Sequence, residues 1–269
     1  MRRVQDRPEL VRIYVKGAPE YVIALCSQTL SSNVQPSPFQ ENDQLTVLQH
    51  IVSTNMASQG LKCLSYAFKE IRIEDLDQLM TSYDLESDDF RNELENDLIY
   101  LGTFGMDDPL RPNIGEAIQY IRYGQLETAG EQAEGNQVNI RMVTGDHIET
   151  AKAVAVLTGI VKPEELQLNG IAMTGDQFRD SIGQYQKIWD PQHQEFRVEF
   201  MEQRKFDDVK KRLKIIARCT SEDKFVLVAG IKQKGGLVGM TGDSIADADA
   251  LKKADVGLCM GSGCDVAKD

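Results

Sequence analysis

Apolar and polar residues alternate along the first hundred residues in a mixture of strand-like and helix-like patterns. The run Arg12–Val15 is typical of a short strand, and Pro19 soon after it predicts the start of a helix, because the fixed φ of proline suits a first helical turn. Leucine and other aliphatic residues then recur at helical spacing, which predicts an amphipathic helix over about residues 41–58, ending near Gly60. A further strand is predicted over Leu61–Phe68.

The best candidate for a domain boundary follows an acidic stretch. Residues 71–97 are rich in Asp and Glu, and we expect them to form solvated surface with one short helix. The strand-like run Ile99–Phe104 comes next, and residues 105–112 then hold two prolines, which are typical of a loop. The sequence therefore predicts two domains, residues 1–103 and residues 104–269, with a hinge near the two prolines.

The second segment alternates predicted strands and helices. The predicted strands are Val138–Val143, Lys214–Arg218 and Leu237–Met240, and the predicted helices begin near Ile114, Ile148 and Glu222. We expect the helix from Ile148 to Leu157 to be buried, since it is apolar on most sides. The pattern weakens over residues 169–189, which we interpret as a variable insertion. Such alternation indicates an α/β fold with a mostly parallel sheet, in which ligands lie beyond the carboxyl ends of the strands.

Composition narrows the class of protein. The chain has 269 residues, 41% of them hydrophobic, and a formal net charge of -12. This charge argues against sequence-independent nucleic-acid binding, which needs a basic face. No apolar run of roughly 18 residues is present, and the charged start gives no sign of a signal peptide. The five scattered cysteines favour reduced thiols over a disulfide framework or a zinc site.

Three copies of Thr-Gly-Asp are the first candidates for chemistry. Thr144–Asp146 and Thr241–Asp243 each follow an apolar strand and precede a helix, so each offers a hydroxyl, a flexible glycine and a carboxylate where an anion and a metal can bind. Helix N-caps use the same residue types, and the sequence alone leaves these two interpretations open. The middle copy, Thr174–Asp176, follows a polar stretch and is predicted to be a plain helix cap.

Charged residues near the third copy add to this hypothesis. Asp243, Asp247 and Asp249 fall within two helical turns of one another. Mg²⁺ is a natural counter-ion for such a group, although bare surface also tolerates it. With Ser221 as the expected N-cap, Lys224 lies in a first helical turn, where the helix dipole disfavours a cation. A buried phosphate partner or a solvent-pointing side chain would each explain this lysine.

Five separated motifs together resemble those of the P-type cation-transporting ATPases, in particular calcium pumps of the plasma-membrane, calmodulin-regulated type. In chain order the motifs are Lys16–Glu20, Asp108–Pro112, Met142–Asp146, Ala217–Lys224 and Thr241–Gly257. Taken alone, the first of them is more typical of a simple strand-to-helix turn than of a nucleotide site. The resemblance implies a partial α+β nucleotide-binding domain, followed by a partial phosphorylation domain with the Rossmann-like fold of the haloacid dehalogenases.

The resemblance also implies roles for individual residues, with ATP and Mg²⁺ as cofactors. Nucleotide-binding roles fall on Lys16, Gly17, Lys62, Asp146 and Arg218. Catalytic roles fall on Thr144, Gly145, Lys224 and Asp247, and the Mg²⁺ ligand is Asp243. In this family the loop of Thr144 holds the transferred phosphoryl group, and the lysine neutralises its oxygens.

The sequence departs from the family where the chemistry is most demanding. The Asp-Lys-Thr-Gly-Thr motif that carries the phosphorylated aspartate is absent. So are the membrane helices, the actuator domain and the amino-terminal half of the nucleotide-binding domain with its usual aromatic adenine partner. Ser244, Ala246 and Asp249 replace the usual glycine, asparagine and proline. Loss of the asparagine amide removes a phosphate contact worth about 1 kcal/mol.

We therefore expect the soluble cytoplasmic part of a membrane-bound P-type calcium pump, with little catalytic activity of its own. Its expected partners are Mg-ATP and the remainder of the pump, with calmodulin a partner of the complete protein only. The alternative is a non-catalytic ATP- and Mg²⁺-binding or regulatory module with a degenerate phosphorylation-domain fold. A free-standing haloacid-dehalogenase-like phosphatase is a third hypothesis, but it needs the same absent aspartate.

Overall fold

The chain divides into two compact units, Met1–Asp108 and Pro109–Asp269. The structure, a computed structural model, describes residues 2–4, 7–124, 138–192 and 194–268. Across these ranges, no helix combines the length and the apolar character that crossing a bilayer requires. The five cysteines are free thiols in the structure.

Unit 1 is built on a six-stranded sheet. Its strands are β1 (Arg2–Val4), β2 (Arg7–Gly17), β3 (Cys26–Leu30), β4 (Pro36–Pro38), β5 (Lys62–Arg72) and β6 (Leu98–Met106). They lie in the order β1-β2-β5-β6-β3-β4. Every neighbouring pair is antiparallel except β3 and β6, which run parallel. The two predicted strands that begin at Leu61 and Ile99 are thus the central, adjacent pair of this sheet.

The helices of unit 1 follow most of the predicted pattern. They are α1 (Pro19–Ala24), α2 (Glu41–Thr46), α3 (Ile73–Ser82) and α4 (Asp88–Leu94), and a π-helical segment, Val47–Thr54, continues α2. The predicted start at Pro19 is confirmed, and the predicted helix over residues 41–58 is confirmed over residues 41–54, where α2 and the π-helical segment lie. The acidic stretch was expected to hold one short helix and instead forms α3 and α4, because Leu76 and Leu94 bury an apolar face of each helix.

The two faces of this sheet differ sharply in burial. Side chains alternate between the faces of a strand, so residues two apart share a face. Ile13, Ala67 and Leu98 are buried against the helices. Tyr14 and Phe104 lie on the opposite face and are 52% and 62% exposed. Unit 1 therefore presents an aromatic surface on one side of its sheet.

Unit 2 is a mixed α/β unit with parallel strands. One parallel sheet has the order β7-β11-β8 and a second pairs β12 with β13, while β9 and β10 form an antiparallel hairpin. The strands are β7 (Met142–Val143), β8 (Ala172–Thr174), β9 (Tyr185–Asp190), β10 (Glu195–Phe200), β11 (Ile215–Ala217), β12 (Gly239–Gly242) and β13 (Val256–Cys259). The α/β class and the parallel strands are confirmed. The loops after β7 and β12 were expected at one sheet, and they end strands of two separately hydrogen-bonded sheets.

The helices of unit 2 pack on both sides of the β7-β11-β8 sheet, since Ile216 faces one buried cluster and Ile215 and Ala217 face another. They are α5 (Ile114–Tyr123), α6 (Ile148–Leu157), α7 (Gly175–Ile182), α8 (Gln203–Arg212), α9 (Ser221–Lys232), α10 (Ala248–Lys253) and α11 (Asp265–Lys268). Helix α6 has the predicted bounds, but Leu157 is 66% exposed, so this helix is not buried on all sides. The weak region 169–189 is a structured part of the core, since it forms β8, α7 and β9 and contributes the fully buried Phe178 and Ile182.

Candidate functional site

The loop after β7 closes on itself through its own side chains. The Thr144 hydroxyl donates to Asp146 Oδ2 at 3.0 Å, and the Asp146 amide donates to Thr144 Oγ1 at 3.1 Å. The N-cap of α6 is His147, whose Nδ1 accepts from the amide of Glu149 at 3.2 Å. The helix-cap interpretation of Thr144 and Asp146 is therefore wrong, and both side chains serve the loop rather than the helix.

The same loop is bonded to the segment that follows β11. The amide of Arg218 donates to the Asp146 carbonyl at 3.1 Å, and the amide of Cys219 donates to the Thr144 carbonyl at 3.0 Å. The Arg218 guanidinium donates to the Gly145 carbonyl at 2.6 Å, and the backbone of Arg218 has a positive φ of 49°. Open space lies beside Gly145, because a Cβ placed there would meet nothing within 4 Å. A ligand can thus approach the glycine backbone closely.

Helix α9 begins with a capping box, and its N-cap is not the expected residue. The N-cap is Thr220 rather than Ser221: the amide of Asp223 donates to Thr220 Oγ1 at 3.2 Å, and the amide of Thr220 donates to Asp223 Oδ2 at 2.9 Å. Arg179 of α7 also donates to this buried carboxylate oxygen, at 2.6 Å. Within the part of the chain that the structure describes, the other oxygen, Asp223 Oδ1, is buried without a hydrogen-bond partner. The reciprocal bonds fix the first turn of α9.

Lys224 lies in that first turn and points into the protein. It is only 8% exposed, so the solvent-pointing interpretation is wrong. Its Nζ donates to Asp247 Oδ1 at 2.7 Å. The cation that the helix dipole disfavours is therefore balanced by a carboxylate from the loop after β12.

Asp247 is bound from several directions at once. Its Oδ2 accepts from the Ser244 hydroxyl at 2.7 Å, from the Ser244 amide at 3.1 Å and from the Asp243 amide at 3.2 Å. Burial alone would raise the pKa of Asp247, but the bonds from Lys224, Ser244 and Asp243 outweigh burial and lower its pKa to about 2. The carboxylate is thus ionised and held rigidly beside Lys224.

The three neighbouring carboxylates do not form one cluster. Asp243 is exposed, Asp247 is buried in its ion pair, and Asp249 is 66% exposed with Lys187 Nζ 3.6 Å away. Among the described residues no group of three His, Cys, Asp or Glu side chains has the arrangement of a metal site. Any Mg²⁺ at Asp243 would thus take most of its ligands from water and phosphate, which is common for this ion.

The nucleotide-binding candidates of unit 1 lie along two adjacent strands. Lys16 is exposed on β2, directly across from Tyr66 of β5, and Gly17 follows it at the end of the strand. Lys62 begins β5 and forms an ion pair with Asp108. The hydrogen bond from Lys62 lowers the pKa of Asp108. A phosphate would therefore compete with Asp108 for Lys62.

Several interactions at these sites were not predicted from the sequence. Arg179 reaches the site through Asp223, and Ser244 supplies a hydroxyl to Asp247. In unit 1, Tyr66 and Phe104 form an edge-to-face aromatic pair with ring centroids 5.6 Å apart. The alternation of side chains along a strand could have indicated this pair, because it places Tyr66 and Phe104 on the same face of the sheet as Lys16.

Comparison with known proteins shows which class of protein the chain is similar to. Residues 2–113 match the family model described as P-type ATPase, cytoplasmic domain N. Over 96% of its length the chain is 32% identical to calcium-transporting ATPase 13, plasma membrane-type, of Arabidopsis thaliana, and it covers 21% of that protein. Plasma membrane calcium-transporting ATPase 3 of Homo sapiens is also 32% identical over 96% of the chain, which covers 19% of it.

These matches confirm the resemblance drawn from the five motifs. Residues 2–113 are similar to the cytoplasmic domain N of the P-type ATPases, and similarity to pumps of this class extends over nearly the whole chain. Within that class it is similar to calcium-transporting ATPases of the plasma-membrane type. The chain spans about a fifth of the length of these curated relatives.

Proposed function

We propose that this chain forms part of the cytoplasmic catalytic region of a membrane-bound P-type calcium-transporting ATPase. Unit 1 is its partial nucleotide-binding domain and unit 2 a partial phosphorylation domain of haloacid-dehalogenase-like fold, with residues 105–112 as the hinge. The complete pump would couple hydrolysis of Mg-ATP to calcium transport. The names of the relatives and the order of the five motifs support this proposal.

One observation carries the proposal: hydrogen bonds and an ion pair link all three candidate loops of unit 2. The loop of Thr144 is bonded to Arg218 and Cys219 after β11, and the next residues cap α9, which carries Lys224. Lys224 in turn reaches Asp247 after β12. These bonds fix the positions of Lys224, Gly145 and Asp247 relative to one another. Stabilisation of a phosphoryl group requires groups that are held in fixed positions in this way.

Each residue has a definite task in this proposal. We assign to Lys224 the neutralisation of phosphoryl oxygens and to Asp247 the positioning of Lys224. To the backbone of Gly145 and the hydroxyl of Thr144 we assign the binding of the transferred group. When bound at Asp243, Mg²⁺ would neutralise further phosphate charge. The attacking aspartate of the family motif does not occur in this sequence, so this chain supplies surroundings for phosphoryl transfer and not its nucleophile.

ATP binding by the full chain tests the Mg²⁺ assignment. Calorimetry should show ATP binding that strengthens when Mg²⁺ is added, and Asp243→Asn should remove most of that strengthening. Asp249→Asn is the matched control, since Asp249 is a nearby exposed carboxylate that lies against Lys187. Equal loss in the two variants would contradict the assignment of Asp243.

Phosphorylation by labelled ATP tests the statement that this chain does not supply the nucleophile. The isolated chain should give no acid-stable, hydroxylamine-sensitive phosphoprotein, because that product is an acyl phosphate on an aspartate. Formation of such a product by this chain would refute the assignment of the nucleophile to the family motif.

A non-catalytic ATP- and Mg²⁺-binding or regulatory module is the second candidate, and Ser244 and Ala246 favour it. The Ser244 hydroxyl occupies one oxygen of Asp247, and Ala246 offers no side-chain amide to a phosphate. Replacing both with the usual residues, as Ser244→Gly with Ala246→Asn, should strengthen Mg²⁺-dependent phosphate binding if the chain derives from a working pump. An unchanged affinity would favour the regulatory module.

A further inference from the structure

Unit 2 contains a cavity beside the hairpin of β9 and β10. Its volume is about 520 Å³, and small-molecule sites have volumes of about 300–1,000 Å³. Strand β10, the end of α9 and the end of α10 form its walls. It lies at the opposite end of α9 from Lys224, because Lys232 is about 12 Å farther along the helix axis. The candidate phosphate site therefore does not account for this cavity.

Side-chain hydrogen bonds hold the walls of the cavity together. Gln233, the C-cap of α9, donates from its side-chain amide to the carbonyl of Val198 in β10. Lys232 Nζ donates at 2.8 Å to the carbonyl of Lys253, the last residue of α10. Because these bonds join the end of one helix to a strand and to a second helix, the shape of the cavity is fixed by the fold.

A buried lysine lines this cavity. Lys253 is only 7% exposed. Among the residues that the structure describes, its one ion-pair partner is Glu195 of β10, with the ammonium nitrogen and a carboxylate oxygen 2.8 Å apart. An ammonium group has three N–H donors, so Lys253 can bind a further acceptor. The side chain of Glu195 is 46% exposed and can turn toward solvent, whereas Lys253 stays buried in the wall.

The charges around the cavity are balanced. Its lining carries three cations and three carboxylates, namely Arg197, Lys232, Lys253, Asp190, Glu195 and Glu199. A ligand with negative charge alone would meet the three carboxylates, and a ligand with positive charge alone would meet the three cations, so each would be repelled as well as attracted. A molecule that carries both a carboxylate and an ammonium group can pair with both kinds of side chain. Such a zwitterion also leaves the net charge of the cavity unchanged.

Part of the cavity wall is apolar. The half-buried Phe200 lines it together with Val198 and Ala229. An apolar group placed there replaces water beside apolar side chains, which is favourable. The lining therefore matches a ligand that has a carboxylate, an ammonium group and an apolar side chain.

We propose that this cavity binds an apolar α-amino acid between Lys253 and Glu195. The carboxylate of the ligand accepts from Lys253, and its ammonium group donates to Glu195, which turns outward to admit it. One ion pair is thus replaced by two. The apolar side chain of the ligand lies against Val198, Ala229 and Phe200. This proposal does not depend on nucleotide or phosphate binding, so the failure of one leaves the other standing.

Isothermal titration of the full chain with three probes tests the proposal. The probes are phenylalanine, 3-phenylpropanoate, which lacks the ammonium group, and 2-phenylethylamine, which lacks the carboxylate. Phenylalanine should bind at least about tenfold more tightly than either analogue, because a hydrogen bond to a charged group contributes about that much. Lys253→Met should weaken phenylalanine binding at least about tenfold and remove the preference for phenylalanine over 2-phenylethylamine.

Glu195→Gln changes a half-exposed side chain, so it tests the proposal even if Lys253→Met does not fold. This variant loses the partner of the ligand's ammonium group and the carboxylate that competes for Lys253. It should therefore bind phenylalanine more weakly and 3-phenylpropanoate more tightly than the unchanged chain. Glu202→Gln is the matched control, because Glu202 is a 60% exposed carboxylate that pairs with Lys205 outside the cavity lining. It should bind all three probes as the unchanged chain does.

Three results would overturn the proposal. If 3-phenylpropanoate or 2-phenylethylamine binds as tightly as phenylalanine, the cavity does not select a zwitterion. If none of the three probes binds, the cavity is not a site for an apolar amino acid. If Glu195→Gln binds the probes as Glu202→Gln does, the ligand does not lie between Lys253 and Glu195.

Discussion

Replacing Lys224 by methionine should destabilise unit 2 more than any exposed lysine substitution. Methionine has a similar length and no charge, so the change leaves the buried Asp247 carboxylate without its cation. The two side chains are each 9% exposed and their polar atoms are 2.7 Å apart, so solvent and salt screen the pair only weakly. Breaking such a pair from one side costs about 3–5 kcal/mol. Because three other donors still bind Asp247, we expect a loss of about 3 kcal/mol in the free energy of unfolding.

The chain provides a selective probe for this measurement. Two compact units need not unfold together, so a signal from one unit is required. The only tryptophan, Trp189, lies in β9 of unit 2. Urea unfolding followed by its fluorescence therefore reports on the unit that contains Lys224. The measurement at low and high salt should give nearly the same loss, since the pair is buried.

A double-mutant cycle separates the ion pair from simple loss of packing. Asp247→Asn leaves Lys224 buried without a negative partner, and the double variant Lys224→Met with Asp247→Asn leaves neither charge unpaired. The double variant should therefore lose at least about 1 kcal/mol less than the sum of the single losses. Strictly additive losses, or a loss below about 1 kcal/mol in Lys224→Met, would refute the reasoning from the buried pair.

Three further predictions concern backbone fit, helix capping and thiol chemistry. Gly242→Ala should lower the free energy of unfolding of unit 2 by about 1–3 kcal/mol in the same urea assay, because the alanine Cβ would lie 2.5 Å from the Cβ of Asp247. Unchanged stability would contradict this tight contact. Thr220→Ala should cost about 1 kcal/mol and Ser221→Ala much less, since only Thr220 caps α9; equal losses would contradict that assignment. Burial raises the pKa of the Cys26 thiol to about 12, so at pH 8 its reactive thiolate is scarce. Iodoacetamide should therefore label the half-buried Cys63 before it labels Cys26, as peptide mass mapping can check. Faster labelling of Cys26 would contradict its burial.

Local sequence signals predict the elements of this chain well and its pairings poorly. The start of α1 at Pro19 follows from proline geometry, and the bounds of α6 follow from a segment that is apolar on most sides. Both are properties of a few neighbouring residues. The partners of β7 and β12 depend on which distant strands meet, and no local pattern holds that information. The two loops were for this reason expected at one sheet and belong to two.

The cap of α9 illustrates a similar limit at the candidate site. Thr220, Ser221 and a following acidic residue all suit a helix start, so the sequence pattern does not separate a cap at Thr220 from one at Ser221. The structure selects Thr220 because Asp223 turns inward to bond it and to meet Arg179 from α7. Arg179 lies in a region whose pattern is too weak to predict a core helix, so its role depends on packing that a single segment does not encode.

The environment of Lys224 also bears on how the proposed phosphate site would work. A phosphoryl group that approaches Lys224 meets a lysine already paired with Asp247, and it brings negative charge toward that carboxylate. The approach becomes favourable only if another cation offsets the repulsion. Asp243 is exposed in the same loop and is the residue to which the proposal assigns Mg²⁺. Phosphate affinity in this chain should therefore depend steeply on Mg²⁺, whereas Asp247→Asn, which removes the competing charge, should make phosphate binding less dependent on the ion. If Asp247→Asn binds phosphate more weakly than the unchanged chain in the absence of Mg²⁺, the proposed competition between phosphate and Asp247 for Lys224 is contradicted.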